Sequence, residues 1–345
     1  MLYSSLFFWT IFCLFLPGAL LINLIRFSLR EFIDKWWNPL YFSLSFGLSV
    51  SLISVAGWIG YAFNWTFRHV QTTVLILIAF LISITVLINL KKIRDSRHIW
   101  FLASKKDILP IIQKYTKLRD QLLNRDSICQ IGIYFLVALV TVISIITKTW
   151  FSHTADSFGH ISAIRSIIRY DNPLPQEIFF PVPVKEMSPI FGTWNLATAI
   201  VAQFAKSDLI IAWRFFNVLI APLLVLSYAS IAYSLSRRSD VALIATMLFL
   251  LLQQKLDLRT LAYPNKTGQI LMWAAIVLII YYASSNFSII QNYNDRIIKS
   301  NSIKTISLIG LLSFGASAIH MQYAPVLMLL LAMGVAISFF DRIWD

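Results

Sequence analysis

QTTVLILIAFLISITVLINL, residues 71 to 90, runs without a single Asp, Glu, Lys or Arg. At about 1.5 Å of rise per residue, a helix of this length crosses the roughly 30 Å hydrocarbon core of a bilayer. KKIRDSRHIWFLASKKDILPIIQKYTKLRDQLLNRDSIC follows at 91–129 and carries ten Lys or Arg. An uncharged run abutting a basic loop reads as a membrane span whose far end faces the cytoplasm, because cationic loops are retained on that side. The pair sets both the fold class and the orientation.

The same signal recurs outward in both directions. Nine candidate spans are expected at roughly 4–25, 39–60, 71–90, 130–148, 209–234, 240–254, 268–284, 304–320 and 324–340. The 345 residues are 58% hydrophobic with a mean hydropathy of +0.72, against about 45–50% apolar for soluble domains. Only helices and closed barrels satisfy their backbone in lipid, and the residue alternation of a barrel is absent. The expectation is an all-α polytopic membrane protein surrounded by membrane lipid.

The formal charge of +13 would suggest nucleic acid in a soluble protein. Here the basic loops account for it, and no nucleic-acid partner is expected. Cys13 and Cys129 cannot build a disulfide framework or a metal site. MLYSSLFFWTIFCLFLPGALLI lacks a basic leader and reads as a first span rather than a cleaved signal.

RFSLREFIDKWWN (26–38), SRRSD (236–240) and NDRIIKSNSIK (294–304) are also basic and fall on the cytoplasmic side by alternation. The segment near Ile111–Leu123 reads as a basic amphipathic helix on the membrane surface. The chain divides into an N-terminal three-span module (1–90), a basic cytoplasmic linker (91–129) and a membrane core (130–345). Residues 149–208 become the one long extracytoplasmic loop, sharing its side with 253–268 and 320–325. The localisation expected is a multi-pass protein of the cytoplasmic membrane.

That long loop opens with FSHTADSFGHISAIRSIIRYDNPLP, residues 151–175. Thr154 can cap a helix starting near Ala155. Ile161, Ile164 and Ile168 then form an apolar stripe, opposed by Ser162, Arg165, Ser166 and Arg169, as in a helix at the membrane interface. Asp156 and His160, spaced i and i+4, lie at the edge of the apolar side. Such groups are costly near lipid unless they have a task. Asp156 equally suits the cap or dipole of a helix start, and His160 a structural hydrogen bond. His153, Asp156 and His160 are metal ligands by type but have no signature spacing; a divalent metal is the one cofactor left open. DNPLPQEIFFPVPVKEMSP breaks regular structure, and IFGTWNLATAIVAQFAKSD reads as a second interfacial or re-entrant helix with Trp194 at the headgroup boundary.

A span leaving outward (IGIYFLVALVTVISIITKTW), followed by D-x-x-x-H-x-x-x-x-R at Asp156, His160 and Arg165, resembles the first extracytoplasmic loop of GT-C-type integral-membrane glycosyltransferases. FLPGALLINLI with NPLYFSLSFGLSVSLISVAGWIG is similar to the extra N-terminal transmembrane module found in many proteins of that type. Members usually carry more spans, so the resemblance implies a short member or one incomplete at its C-terminus.

The resemblance implies a polyprenyl-phosphate-linked sugar donor and an extracytoplasmic glycan, lipid or protein acceptor. A phosphate leaves readily at neutral pH, so one base suffices, and single displacement inverts the anomeric carbon. Asp156 is the candidate base. Fixed donors must stabilise the leaving phosphate; Arg165, Arg259 and His320 are the candidates, with His160, Gln322 and Tyr263 completing the substrate set. Lys255 and Lys266 read as ordinary solvated charge.

Three other functions compete. A lipid-linked oligosaccharide flippase calls for charges deep within several spans, and here these are nearly absent, Arg214 lying near an outer boundary. A polysaccharide polymerase or ligase would use arginines and histidines of large outer loops. A non-catalytic scaffold subunit needs no site at all.

Overall fold

The computed structural model describes residues 2–35, 38–100, 125–146, 155–173, 192–252, 263–289, 295–320 and 323–329. These are helical apart from short turns, with no strand among the described residues. The helices are α1 (Leu2–Leu14), α2 (Leu16–Lys35), α3 (Asn38–Ala62), α4 (Phe67–Trp100), α5 (Arg125–Ile146), α6 (Ala155–Tyr170), α7 (Gly192–Ala205), α8 (Leu209–Ser236), α9 (Ser239–Leu252), α10 (Pro264–Ile289) and α11 (Asp295–Ile319).

Among the described residues, five stretches are long and apolar enough to cross a membrane: Tyr3–Ile25, Leu40–Ala62, Phe67–Leu90, Asp126–Ile146 and Leu209–Ser236. Ser239–Leu251 and Thr305–Ile319 are shorter apolar helices. Most of the expected span 324–340 and the expected surface helix at 111–123 lie outside the described residues. Large apolar side chains face outward on the peripheral helices, among them Ile76, Phe80 and Leu87 of α4 and Ile131, Phe135 and Ile146 of α5. A water-exposed protein does not keep contiguous apolar faces of this kind. The chain is a multi-pass helical membrane protein.

α3 is the hub. It packs against α1, α2 and α4 on one side and α7, α8, α10 and α11 on the other. Its serines allow this approach: Ser43, Ser45, Ser49, Ser51 and Ser54 are all buried, as small residues are where helices meet in membranes. The first span is broken where α1 passes into α2. Pro17 cannot continue the amide ladder, and the Gly18 amide instead donates to the Ser49 hydroxyl at 2.8 Å. Gly18 lies so close to α3 that a Cβ would collide with the Ser45 carbonyl.

Of the interfacial and re-entrant readings of α7, its burial excludes the interfacial one. Trp194 is fully buried rather than at a headgroup boundary, with its ring edge-on to Phe46 of α3 and Phe216 of α8. The run GTWNLATAIVA is apolar or small all round, and a helix of that kind is buried in protein rather than laid on an interface. The tight turn Lys206–Ser207–Asp208 leads into α8, Lys206 at φ 50° and Asp208 accepting from the Ile210 amide at 2.9 Å.

Candidate functional site at one end of the bundle

α6 forms where the sequence places it, and its stripe covers α7 and α8 rather than bare lipid. Ile161, Ile164 and Ile167 are buried, with Ile168 packed at their edge. Ser166, expected on the polar face, is buried as well. Arg165 and Arg169 are exposed, the Arg169 guanidinium resting over the Tyr170 ring at 5.8 Å.

His160 is half-buried, and its imidazole lies flat on the indole of Trp213 from the start of α8, centroids 5.3 Å apart at 16°. Tyr263, just before α10, closes the group at 5.1 Å from His160 and 6.1 Å from Trp213. Three segments distant in sequence thus meet through three rings. Asp156 lies one turn before His160 along α6. Arg165 is five residues past His160, about 140° around the helix, and is not brought to the rings.

A second contact set adjoins through α10. The His320 amide caps α11 by donating to Ala316 O at 2.9 Å, and its ring packs on Tyr323 at 5.6 Å. The Tyr323 hydroxyl donates to the Asn265 carbonyl in the first turn of α10. Tyr323 also lies across Gly268, where any Cβ would collide with the ring. Thr193 of α7 donates to the Ala318 carbonyl at 2.8 Å. His320 therefore reaches the Tyr263 turn through Tyr323. Burial pushes the His320 pKa below its ordinary 6.5.

The segment after α6 is fixed to the turn between α3 and α4. Asp171 takes a left-handed φ of 50°, which aspartate tolerates. Its carbonyl accepts the Phe67 amide at 2.8 Å and its carboxylate the Arg68 amide at 3.0 Å. Asp171 thereby caps α4 from a remote part of the chain.

Of the residues expected in a site, His160 and Tyr263 meet directly and His320 joins them indirectly. Arg259 and Gln322, and His153 of the metal option, lie outside the described residues. No three metal-ligating side chains come together among the described residues. Sequence reasoning missed Trp213 and Tyr323. A tryptophan in the first turns of a span reads as a headgroup anchor, so only its full burial distinguishes it.

Residues 11–343 match DUF6541, a family of unknown function. The chain belongs to this family. The DUF6541 match runs from within α1 past the helical segment 323–329, so the ring cluster lies inside the shared region. Neither a curated protein nor a solved structure matches the chain.

Proposed function

We propose that this protein is a membrane glycosyltransferase of GT-C type, built on about nine spans. It moves a sugar from a polyprenyl-phosphate donor to an acceptor outside the cytoplasmic membrane. Asp156 takes the proton from the acceptor hydroxyl, and the phosphate departs without an acid's help. The observation that carries this reading is the docking of His160, one turn from Asp156, onto Trp213 and Tyr263. That contact gathers the carboxylate-bearing helix and the starts of two further helices at one end of the bundle. Aromatic rings suit a sugar, whose C–H faces stack on them while its hydroxyls find polar partners. Among the described residues no Asp, Glu, Lys or Arg is buried, which favours chemistry at the bundle end over a polar path through it.

Native mass spectrometry of the full chain in detergent tests this, with polyprenyl-phosphate monosaccharides, bare polyprenyl phosphate and lipid-linked oligosaccharide offered together. Selective retention of a monosaccharide-bearing lipid is the expected result. Retention of the oligosaccharide lipid alone would replace this reading with a polymerase or flippase.

A further inference from the structure

We infer that the outer face of α6, together with the α3–α4 turn bonded to its end, is a docking surface for an acidic glycan. The inference deepens the transferase reading by naming its acceptor class. It rests on that reading for the side of the membrane on which the face lies.

Two stacked helices decide where the face looks. α7 crosses the bundle from α11 to α1. At its start Thr193 donates to the Ala318 carbonyl, and at its end Phe204 stacks on Trp9 at 4.8 Å while the Ala205 carbonyl accepts from Ser5 Oγ at 3.3 Å. α6 lies on α7, burying Ile161, Ile164 and Ile167. Its opposite face therefore turns away from the bundle. Exposed there are Arg165 and Arg169, one turn apart, and Tyr170. Asp171 then joins α6 to the α3–α4 turn through the Phe67 and Arg68 amides. Pro173 and Trp65 both lie within 4 Å of the point where a Gly60 Cβ would stand, so the two segments are in close contact. That turn exposes Phe63 and the Arg68 guanidinium.

Neither topology nor helix stability accounts for the three arginines. Basic residues hold cytoplasmic loops in place, but with α6 outside the membrane these stand on the opposite side. Arg169, in the last turn of α6, does suit the helix dipole. Arg165 lies a turn too early for that. Arg68 is the second residue of α4, where a cation opposes the dipole. Its acidic neighbour Asp171 is 3.9 Å from the guanidinium, and the same carboxylate already accepts the Arg68 amide at 3.0 Å. Among the described residues, no carboxylate forms a salt bridge with Arg165 or Arg169. The surface is positive and lacks a balancing charge of its own.

The side-chain types select the partner. A guanidinium holds a carboxylate or a phosphate through two parallel hydrogen bonds. Aromatic rings alternate with these cations: Tyr170 lies under the Arg169 guanidinium at 5.8 Å, and Phe63 packs on Trp65 at 6.2 Å. Exposed rings offer apolar faces to the C–H faces of a sugar. Cations and rings interleaved on a face turned from the bundle fit a sugar chain that bears acid groups. A neutral glycan would leave the arginines unused, and a lipid headgroup lies beside the bundle rather than over its end. From Asp171 back to His160 is about 16 Å along α6, a distance that a chain of a few sugars spans to reach the ring cluster.

The test uses the full chain in detergent and fluorescence anisotropy of labelled oligosaccharides of equal length: a polyuronate, a phosphorylated glucan and neutral dextran. At least one acidic glycan should bind while dextran does not, and the one that binds names the acid group. Arg68→Gln, Arg165→Gln and Arg169→Gln combined should weaken that binding by about tenfold or more, the loss expected for hydrogen bonds between charged groups. Raising the salt should weaken wild-type binding in the same direction. The matching triple lysine variant keeps the charges without the planar fork and should fall between the two; it keeps the test decisive if the glutamine protein is unstable. Equal binding of dextran, no binding of either acidic glycan, or undiminished affinity in the glutamine variant would each overturn the surface. So would loss of phosphatidylglycerol adducts in that variant with acidic-glycan affinity intact, which would give the face to the membrane. Arginine-dependent binding without sugar transfer from any donor would sink the transferase reading alone. Transfer to neutral acceptors with acidic glycans unbound would sink this surface alone.

Discussion

The imidazole of His160 and the indole of Trp213 lie face to face, 5.3 Å apart and within 16° of parallel. This single contact joins α6 to α8, and Tyr263 extends it to α10. Trp213→Ala should cost about 3–5 kcal/mol, the usual range for truncating a fully buried aromatic side chain. His160→Phe keeps a ring of similar size on the indole, and its effect on stability should stay below about 1.5 kcal/mol. Its transfer activity should nevertheless fall, because phenyl offers no hydrogen bond. Thermal melts in detergent, paired with donor turnover, separate the two roles. Full activity in His160→Phe would make the contact purely structural.

Asp171 caps α4 across the chain, and the strength of that cap is measurable. Asp171→Ala should destabilise the protein by about 1 kcal/mol. Asp171→Asn should lose much less, since asparagine keeps both an acceptor oxygen and tolerance of the left-handed backbone. Arg68 lies 3.9 Å from the Asp171 carboxylate but is largely exposed. Arg68→Ala should therefore change stability by less than about 0.5 kcal/mol. An arginine effect as large as that of Asp171→Ala would show an ion pair, not a cap, at work.

His320 gives the fold a pH dependence of definite sign. Burial lowers its folded pKa below 6.5, so the unfolded chain takes up the proton first as pH falls. The stability contributed by the neutral ring is fully present above about pH 6.5 and is lost as pH drops through the lower folded value. Melting temperature should thus decline more steeply on acidification in wild type than in His320→Gln. Parallel declines would remove His320 from the account.

The five long apolar helices among the described residues were legible because lipid imposes one strong rule: long uncharged runs. α6 was legible too, since its isoleucines recur at helical spacing and its arginines oppose them. Trp194 was misread because burial in protein and burial in lipid select the same apolar residues, and composition cannot distinguish them. Ser166 was misplaced for a related reason, as serine is small enough to be packed inside. The Asp171 cap joins residues 103 positions apart, which no local pattern announces. The contacts of His160 with Trp213 and of His320 with Tyr323 depend on how segments meet in space.

The most direct measurement is donor turnover by the full chain in proteoliposomes, supplied with a polyprenyl-phosphate monosaccharide and a panel of glycan and lipid acceptors. Wild type should release polyprenyl phosphate and build an inverted glycosidic bond, while Asp156→Asn retains donor binding and loses turnover by about 10²-fold or more. Turnover by Asp156→Asn at the wild-type rate would contradict the assignment of Asp156 as the base and with it the account of this end of the bundle.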